Sequence, residues 1–192
     1  MEYKGVHTLI EAMSVLKHRG IPLKCAIVGD GDQRQRLEKM ARDLGVENEV
    51  RFYGMIEDSR RVFTLMKASK AFVYPAAPLG GWALTPLEAN AAGIPTITTG
   101  SGPVLGINEV VKDGVNGYLL REQSPQLMAD KIGMVASDAA LRAALHTSSM
   151  AYARTFDWDN QALAIEQVYE KVVRQASAGR LPKNRREATP SK

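Results

Sequence analysis

The segment at residues 80–88 has the residue types that suit anion binding. A glycine-containing loop leads directly into a predicted helix, with Pro86 near the first turn of that helix. The start of a helix exposes unpaired backbone N–H groups and the positive end of the helix dipole, which together suit a diphosphate. Glu88 lies one turn inside, where a carboxylate can accept hydrogen bonds from sugar hydroxyls. The alternative is that Glu88 only complements the dipole of its own helix, and the local sequence alone favours that alternative.

Three further glycine-containing turns follow predicted strands. In an open parallel sheet, ligands bind beyond the carboxyl ends of the strands, so these turns and residues 80–88 are expected to border one cleft. The turns are Gly29-Asp30-Gly31, Gly54-Met55 and Gly100-Ser101-Gly102. The backbone groups of Gly54 and Met55 are free to read a base edge, although each glycine can equally be a plain turn. Neither the Gly-x-Gly-x-x-Gly dinucleotide fingerprint nor a Gly-Lys-Ser/Thr phosphate loop is present in the sequence.

The elements that must position these turns alternate along the chain. A helical repeat runs from Val6 to Leu16 and is stopped by Gly20 and Pro22, and a second, around Leu37 and Leu44, is stopped by Gly45. Strands are predicted at 23–28, 50–53, 71–74, 96–98 and 117–120, and further helices at 58–67, 85–92, 125–136, 138–153 and 157–173. Strands alternating with helices predict an α/β fold of the doubly wound class, with a parallel sheet, helices on both faces and helices at the C-terminal end.

Composition and charge exclude several classes of protein. The chain of 192 residues is 45% hydrophobic and 24% charged, which is ordinary for a globular domain. No apolar run is long enough for a membrane span, and there is no signal peptide, so the expected compartment is the cytoplasm. The single Cys25 excludes an internal disulfide, and no Cys/His cluster has metal-ligand spacing.

The net charge of +4 comes from the end of the chain. Residues 174–192 carry six basic residues and one acid, a sum of +5, so residues 1–173 sum to −1. A nucleic-acid-binding protein should carry its basic residues on the folded surface, so nucleic acid is not the expected partner. We interpret residues 1–173 as one domain and residues 174–192 as a disordered basic tail. Weak contact with anionic lipid at the cytoplasmic membrane face is the alternative for this tail.

The chain opens on a helix, whereas a doubly wound domain normally starts with a strand at the centre of its sheet. Met1-Glu2-Tyr3 is too short to supply that strand. The expected place for it is between the strands at 23–28 and 71–74, and we therefore expect the first strand to be missing from an excised piece of a longer protein.

Six motifs, in this order and spacing, resemble the C-terminal domain of retaining group-1 glycosyltransferases of the GT-B fold. They are Lys4-Gly5, Ala26-Ile27-Val28-Gly29-Asp30-Gly31, Val50-Arg51-Phe52-Tyr53-Gly54, Pro86-Leu87-Glu88-Ala89 through Ala92-Gly93-Ile94-Pro95, Asn108-Glu109-Val110-Val111 with Asp113-Gly114-Val115-Asn116-Gly117, and Phe156-Asp157-Trp158. The resemblance covers about residues 4–173. It implies a Rossmann-like domain that binds a nucleotide-sugar for the retaining transfer of a hexosyl group, in polysaccharide or glycoconjugate biosynthesis.

The resemblance also implies a role for each matching residue. Lys4 is expected to hold the diphosphate of the donor, and Gly54 and Met55 to meet the nucleobase. The amides of Gly81, Trp82, Ala83 and Leu84 are expected to cradle the phosphate nearest the sugar. Glu88 is the expected catalytic residue and the ligand of the ribose hydroxyls. No metal or other cofactor is expected, because the helix dipole and basic side chains neutralise the leaving nucleotide.

Two departures from the family pattern limit this expectation. The first of the family's paired acids, which contacts the transferred sugar, falls on Gly80 in this chain. The N-terminal acceptor domain, which forms the other wall of the cleft, has no counterpart in the sequence, so the chain alone is expected to be inactive. Two alternatives stay open: a non-catalytic nucleotide-sugar-binding subunit that pairs with a separate acceptor protein, and an unrelated Rossmann-like regulator or NDP-sugar epimerase. The absence of a Tyr-x-x-x-Lys pair argues against the epimerase.

Overall fold

The computed structural model describes residues 5–75, 84–99 and 106–178. These form an α/β fold of parallel strands flanked by helices, and the chain divides into two units, Met1–Arg154 and Thr155–Lys192. The elements of the first unit are α1 Val6–His18, β1 Cys25–Val28, α2 Arg34–Asp43, β2 Val50–Gly54, α3 Ser59–Lys67, β3 Phe72–Tyr74, α4 Leu84–Ala91, β4 Thr96–Thr99, α5 Ile107–Val110, β5 Gly117–Leu120, α6 Pro125–Ser137 and α7 Ala139–Ala153. A 3₁₀ turn, Arg154–Phe156, is followed by α8 Trp158–Ser177, which belongs to the second unit.

Side-chain caps fix the starts of three helices. The carboxylate of Asp58 accepts a hydrogen bond from the Arg60 amide before α3, and that of Asp138 accepts one from the Leu141 amide before α7. The Ser124 hydroxyl accepts from the Leu127 amide before α6, whose first residue is Pro125. Each cap pairs one of the backbone N–H groups that a helix start leaves without a partner, and proline is tolerated at a position where that N–H is not needed.

The five strands form two separate parallel sheets. β1 pairs with β2, and β4 lies between β3 and β5. The backbones of β4 and β5 lie close together at Gly117. A Cβ atom at this residue would overlap the Thr96 carbonyl group, so only glycine fits. The sequence pattern predicted a parallel sheet that lacks a strand between those at 23–28 and 71–74, and the described strands divide at that place, between β1 and β3.

The main core lies between α1, α6 and the strands. Its fully buried side chains include Ile10, Leu16, Ile97, Met128 and Val135. α1 packs against α6 and α2, while α4 packs against α7 and α3. A smaller cluster of Ile107, Val110 and Val111 joins α5 to Leu87 of α4, and so fixes the helix that carries Glu88.

Most predicted elements are present with ends shifted by one or two residues. The short helix α5 was not predicted. α8 continues to Ser177, so the boundary proposed after Val173 falls inside this helix, and residues 179–192 lie outside the described part of the chain. Within the described ranges, no helix has both the length and the apolar character that crossing a membrane requires.

Candidate functional site

The carboxyl ends of β1 and β2 meet at two glycines. The Gly29 amide donates to the Gly54 carbonyl oxygen over 2.7 Å, and the register between the strands shifts by one residue just before this contact. Both glycines have positive φ, 119° at Gly29 and 68° at Gly54, a region that other residues rarely adopt. Beyond Gly54 the Met55 side chain is 70% exposed. The turn therefore presents backbone groups and a free apolar side chain at the predicted edge of the sheet.

Ion pairs and a backbone hydrogen bond stabilise the turn that follows β1. The Arg34 guanidinium, at the start of α2, donates to Asp30 Oδ2 at 3.0 Å and to Glu38 Oε1 at 2.8 Å. Asp30 Oδ1 also accepts the Gly31 amide at 2.8 Å. That backbone hydrogen bond, followed by the Arg34 contact, holds the pKa of Asp30 below its usual value. Arg34 Nη1 lies so near the backbone of Gly54 that a Cβ at Gly54 would stand 2.8 Å from it.

The start of α1 contacts the end of β3. Gly5 adopts a left-handed conformation with φ 65°, and a Cβ at this residue would overlap the Pro75 carbonyl oxygen and the Gln123 side-chain amide. Gln123 Nε2 donates to that same carbonyl oxygen over 3.1 Å. Gly5 and Pro75 are the described residues that adjoin Lys4 and the loop 76–83, and they are in contact. Lys4, Gly80, Gly81, Trp82 and Ala83 themselves lie outside the described residues, as does the turn at 100–102.

α4 presents Glu88 to solvent and buries its opposite face. Leu84 is 63% exposed and Glu88 is also exposed, whereas Pro86, Ala89 and Asn90 are buried. The Asn90 amide donates to the Val110 carbonyl oxygen at 3.3 Å, which ties α4 to α5. Glu88 is the fifth residue of α4, and the first turn of the helix contains no acid. Since dipole stabilisation falls off within the first turn, the dipole interpretation of Glu88 is weakened.

The structure brings only part of the predicted site together. A cavity between β1 and β3 extends to the carboxyl edge, where His7, Gly29, Asp30, Gly31, Tyr53 and Thr85 are among the residues that line it. Gly54, Met55 and Glu88 do not line this cavity. Among the described residues, no group of three or more His, Cys, Asp or Glu side chains is arranged to hold a metal ion.

Three residues at this edge, Arg34, Glu38 and Gln123, were not singled out from the sequence. Arg34 and Glu38 continue from Asp30 at four-residue intervals, which is the spacing of side-chain neighbours on a helix and was a usable signal. Gln123 gave no such signal, because it reaches Pro75 across 48 positions of sequence.

Similarity to known proteins identifies first the fold class of the chain and then its family. The fold matches the Rossmann-like domains of GT-B glycosyltransferase structures. The chain belongs to the group 1 glycosyltransferase family, whose sequence profile, described as Glycosyl transferases group 1, matches residues 1–150.

Two curated relatives illustrate the match. The chain is 30% identical over 176 residues to a D-inositol 3-phosphate glycosyltransferase of Corynebacterium urealyticum, covering 88% of this chain and 40% of that protein. It is 36% identical over 147 residues to a lipopolysaccharide core biosynthesis glycosyltransferase of Rhizobium meliloti, covering 76% and 39%. The chain thus spans about two fifths of the length of these relatives.

Two solved structures share the fold. HepE of Anabaena, in complex with UDP and glucose, aligns with a TM-score of 0.73 at 26% identity, covering 88% of this chain and 45% of HepE. The C-terminal domain of a group 1 family glycosyl transferase from Francisella tularensis aligns with a TM-score of 0.70 at 28% identity, covering 81% and 80%.

Proposed function

We propose that this chain is the donor-binding, C-terminal domain of a retaining GT-B glycosyltransferase. It binds a nucleoside diphosphate sugar at the carboxyl edge of its strands, and the acceptor is presented by a second domain in the same or another chain. Transfer of the sugar requires both domains, so this chain alone binds the donor without turning it over.

The observation that carries the proposal is the contact between Gly5 and Pro75. Through it, the two described residues that adjoin Lys4 and the loop 76–83 meet at the carboxyl edge of the strands. The exposed carboxylate of Glu88 belongs to the helix that follows the same loop. A cation, a helix start and a carboxylate are the groups needed for a diphosphate and a ribose.

The comparisons support the same function. HepE, at 26% identity, is a complex with UDP and glucose, and the Francisella tularensis protein is a C-terminal domain of nearly the same extent as this chain. In our proposal, Lys4 and the amides of Gly81, Trp82, Ala83 and Leu84 hold the diphosphate. The backbone at Gly54 and Met55 contacts the base, and Arg34 stabilises that turn. Glu88 accepts from the ribose, and no metal takes part.

Calorimetric titration of the full chain with UDP, GDP and ADP tests the proposal. One of the three nucleotides should bind saturably, and binding should be unchanged by EDTA, because protein groups alone neutralise the diphosphate. With Gly80 in place of the acid that contacts the sugar, the nucleotide-sugar should bind within about threefold of the nucleotide, since a charged hydrogen bond of the usual size is not made. Absence of saturable binding at millimolar nucleotide, or loss of binding with EDTA, would contradict the site.

The role of Glu88 is separated by one substitution and one control. Glu88→Gln should weaken nucleotide binding by about 1–3 kcal/mol, because a hydrogen bond to a charged acceptor is lost. Glu47→Gln removes an exposed carboxylate just before β2, at the opposite edge of the sheet, and should leave binding unchanged. If Glu88→Gln lowers stability but not affinity, Glu88 is a structural residue of α4.

A further inference from the structure

A turn and a helix cap fix the backbone of Gln123 between β5 and α6. The Ser124 amide donates to the Glu122 carbonyl oxygen over 3.0 Å, which closes a three-residue turn centred on Gln123 just after β5. Ser124 is also the N-cap of α6, and its hydroxyl accepts a hydrogen bond from the Leu127 amide. The side chain of Gln123 therefore extends from a backbone that is held on both sides.

The Gln123 side chain reaches the end of a strand with which β5 does not pair. β4 lies between β3 and β5, so among the described residues no strand pairing joins β3 to β5. Gln123 Nε2 donates to the carbonyl oxygen of Pro75, the residue that follows β3, over 3.1 Å. This one hydrogen bond joins the turn after β5 to the end of β3, past the end of β4.

The same side-chain amide contacts the start of α1. A Cβ atom at Gly5, the N-cap of α1, would overlap both Gln123 Nε2 and the Pro75 carbonyl oxygen. Gly5 and Pro75 are buried, whereas Gln123 is exposed. Three segments that are distant in sequence, the start of α1, the end of β3 and the turn after β5, thus meet at a single amide group.

The two buried residues of this contact precede or follow the segments proposed to hold the diphosphate. Gly5 follows Lys4 directly, and Pro75 directly precedes the loop 76–83. A buried carbonyl oxygen needs a hydrogen-bond partner, so loss of the Gln123 donor should displace the end of β3. Since Gly5 packs on the same two groups, its place relative to Pro75 depends on the same amide.

We propose that Gln123 is a positioning residue of the donor site. Its side-chain amide holds Gly5 against Pro75 and so sets where Lys4 and the loop 76–83 begin relative to each other. This role rests on the proposed function, and Gln123 acts through those segments rather than by touching the nucleotide. Glutamate has nearly the same shape but cannot replace it, because an ionised carboxylate has no proton to donate to Pro75.

Nucleotide titration of the full chain carrying Gln123→Ala or Gln123→Glu tests the proposal. Both variants lose the donor to Pro75, so both should bind the nucleotide preferred by the wild-type chain at least about threefold more weakly. Gln126→Glu adds the same charge at an exposed position in the first turn of α6 and should leave the affinity unchanged. Unchanged affinity in Gln123→Ala overturns the proposal, even where Gln123→Glu binds more weakly, because the effect would then be one of charge alone.

A double-mutant cycle with Lys4 separates positioning from a general loss of stability. If Gln123 acts by placing Lys4, Gln123→Ala should weaken binding by less than about twofold in the Lys4→Ala background. Equal losses in the wild-type and Lys4→Ala backgrounds overturn the proposal, since a merely structural role would affect both chains alike.

Hydrogen exchange tests the contact without nucleotide. The Thr8 and Leu9 amides donate to the Gly5 carbonyl oxygen and should exchange at least about threefold faster in Gln123→Ala, whereas the Leu16 amide, in the last turn of α1, should not change. Unchanged exchange at Thr8 and Leu9 overturns the positioning role. Absence of nucleotide binding by the wild-type chain would defeat the proposed function itself, whereas equal binding by the wild-type chain and Gln123→Ala would defeat only the role of Gln123.

Discussion

The two sheets of this domain differ in what surrounds their strands. All four residues of β4 are buried, and β4 has a parallel neighbour on each side. The residues of β1 alternate between partly buried and exposed, and β1 has a neighbour on one side only. Both strands are four residues long, and β1, Cys-Ala-Ile-Val, is the more apolar of the two, since β4 is Thr-Ile-Thr-Thr. The greater burial of β4 therefore follows from its pairing rather than from its composition. A parallel strand becomes core when both of its edges and both of its faces are covered.

The motif residues around β4 and β5 also differ from the residues of the candidate site in the hydrogen bonds that they make. Around β4 and β5, the Asp113 carboxylate accepts the Leu119 amide, the Asn116 carbonyl accepts the Lys112 amide and the Asn116 amide donates to Val110. At the end of α4, His146 lies on Gly93 and bonds its carbonyl group at 2.8 Å. These motif residues close turns within the paired half of the domain. Met55 and Glu88 of the candidate site are, in contrast, exposed at the carboxyl edge.

Matched isoleucine substitutions give the largest expected difference between the two sheets. Ile97 in β4 is fully buried, and Ile97→Ala should lower the free energy of unfolding by about 4 kcal/mol. Ile27 in β1 is only partly buried beside the cavity, so Ile27→Ala should cost about 1–2 kcal/mol. Urea denaturation of both variants measures the losses. Equal losses would mean that β1 is packed as β4 is, and the contrast would fail.

The burial of Cys25 in β1 makes the stability of the chain depend on pH. Burial raises its pKa to about 12, whereas an unfolded thiol titrates near 8.5, about the usual value for cysteine. The folded chain therefore holds this proton over a pH range in which the unfolded chain releases it, and stability falls as pH rises above about 9. Relative to Cys25→Ala, the wild-type chain should lose free energy of unfolding progressively between about pH 9 and 12. Urea titrations at several pH values measure this, and parallel profiles for the two chains would show that the thiol is not buried.

The order of the elements was predictable because the periodicity of apolar residues and the positions of glycine and proline are local signals. Gly20 and Gly45 end helices with positive φ as their positions indicated. The division into two sheets was not part of the local pattern, because strand pairing depends on contacts between distant segments. The topology rule for doubly wound sheets put the expected first strand between the strands at 23–28 and 71–74, which stays a prediction, and the described strands separate at that place.

The sequence predicted which edge of the sheet carries the candidate site, but it did not predict all of the contacts between residues at that edge. Strand ends and glycines indicated the carboxyl edge, and Gly29 meets Gly54 there. The exposed carboxylate of Glu88 agrees with its predicted use, which stays a prediction until nucleotide binding is measured. The contact of Gly5 with Pro75 and Gln123 was not foreseeable, since it joins three segments that no local pattern relates.

The turn after β1 gives the smallest expected effect, because its charges are exposed. The Gly31 amide and then the Arg34 guanidinium lower the pKa of Asp30 from 3.8, so its contribution to stability is present above that value and is lost as pH falls through the folded pKa. NMR titration of the Asp30 carboxyl carbon should give a pKa below 3.8, and Arg34→Met should return it only part of the way, because the Gly31 hydrogen bond remains. An unchanged pKa in Arg34→Met would remove Arg34 from this turn.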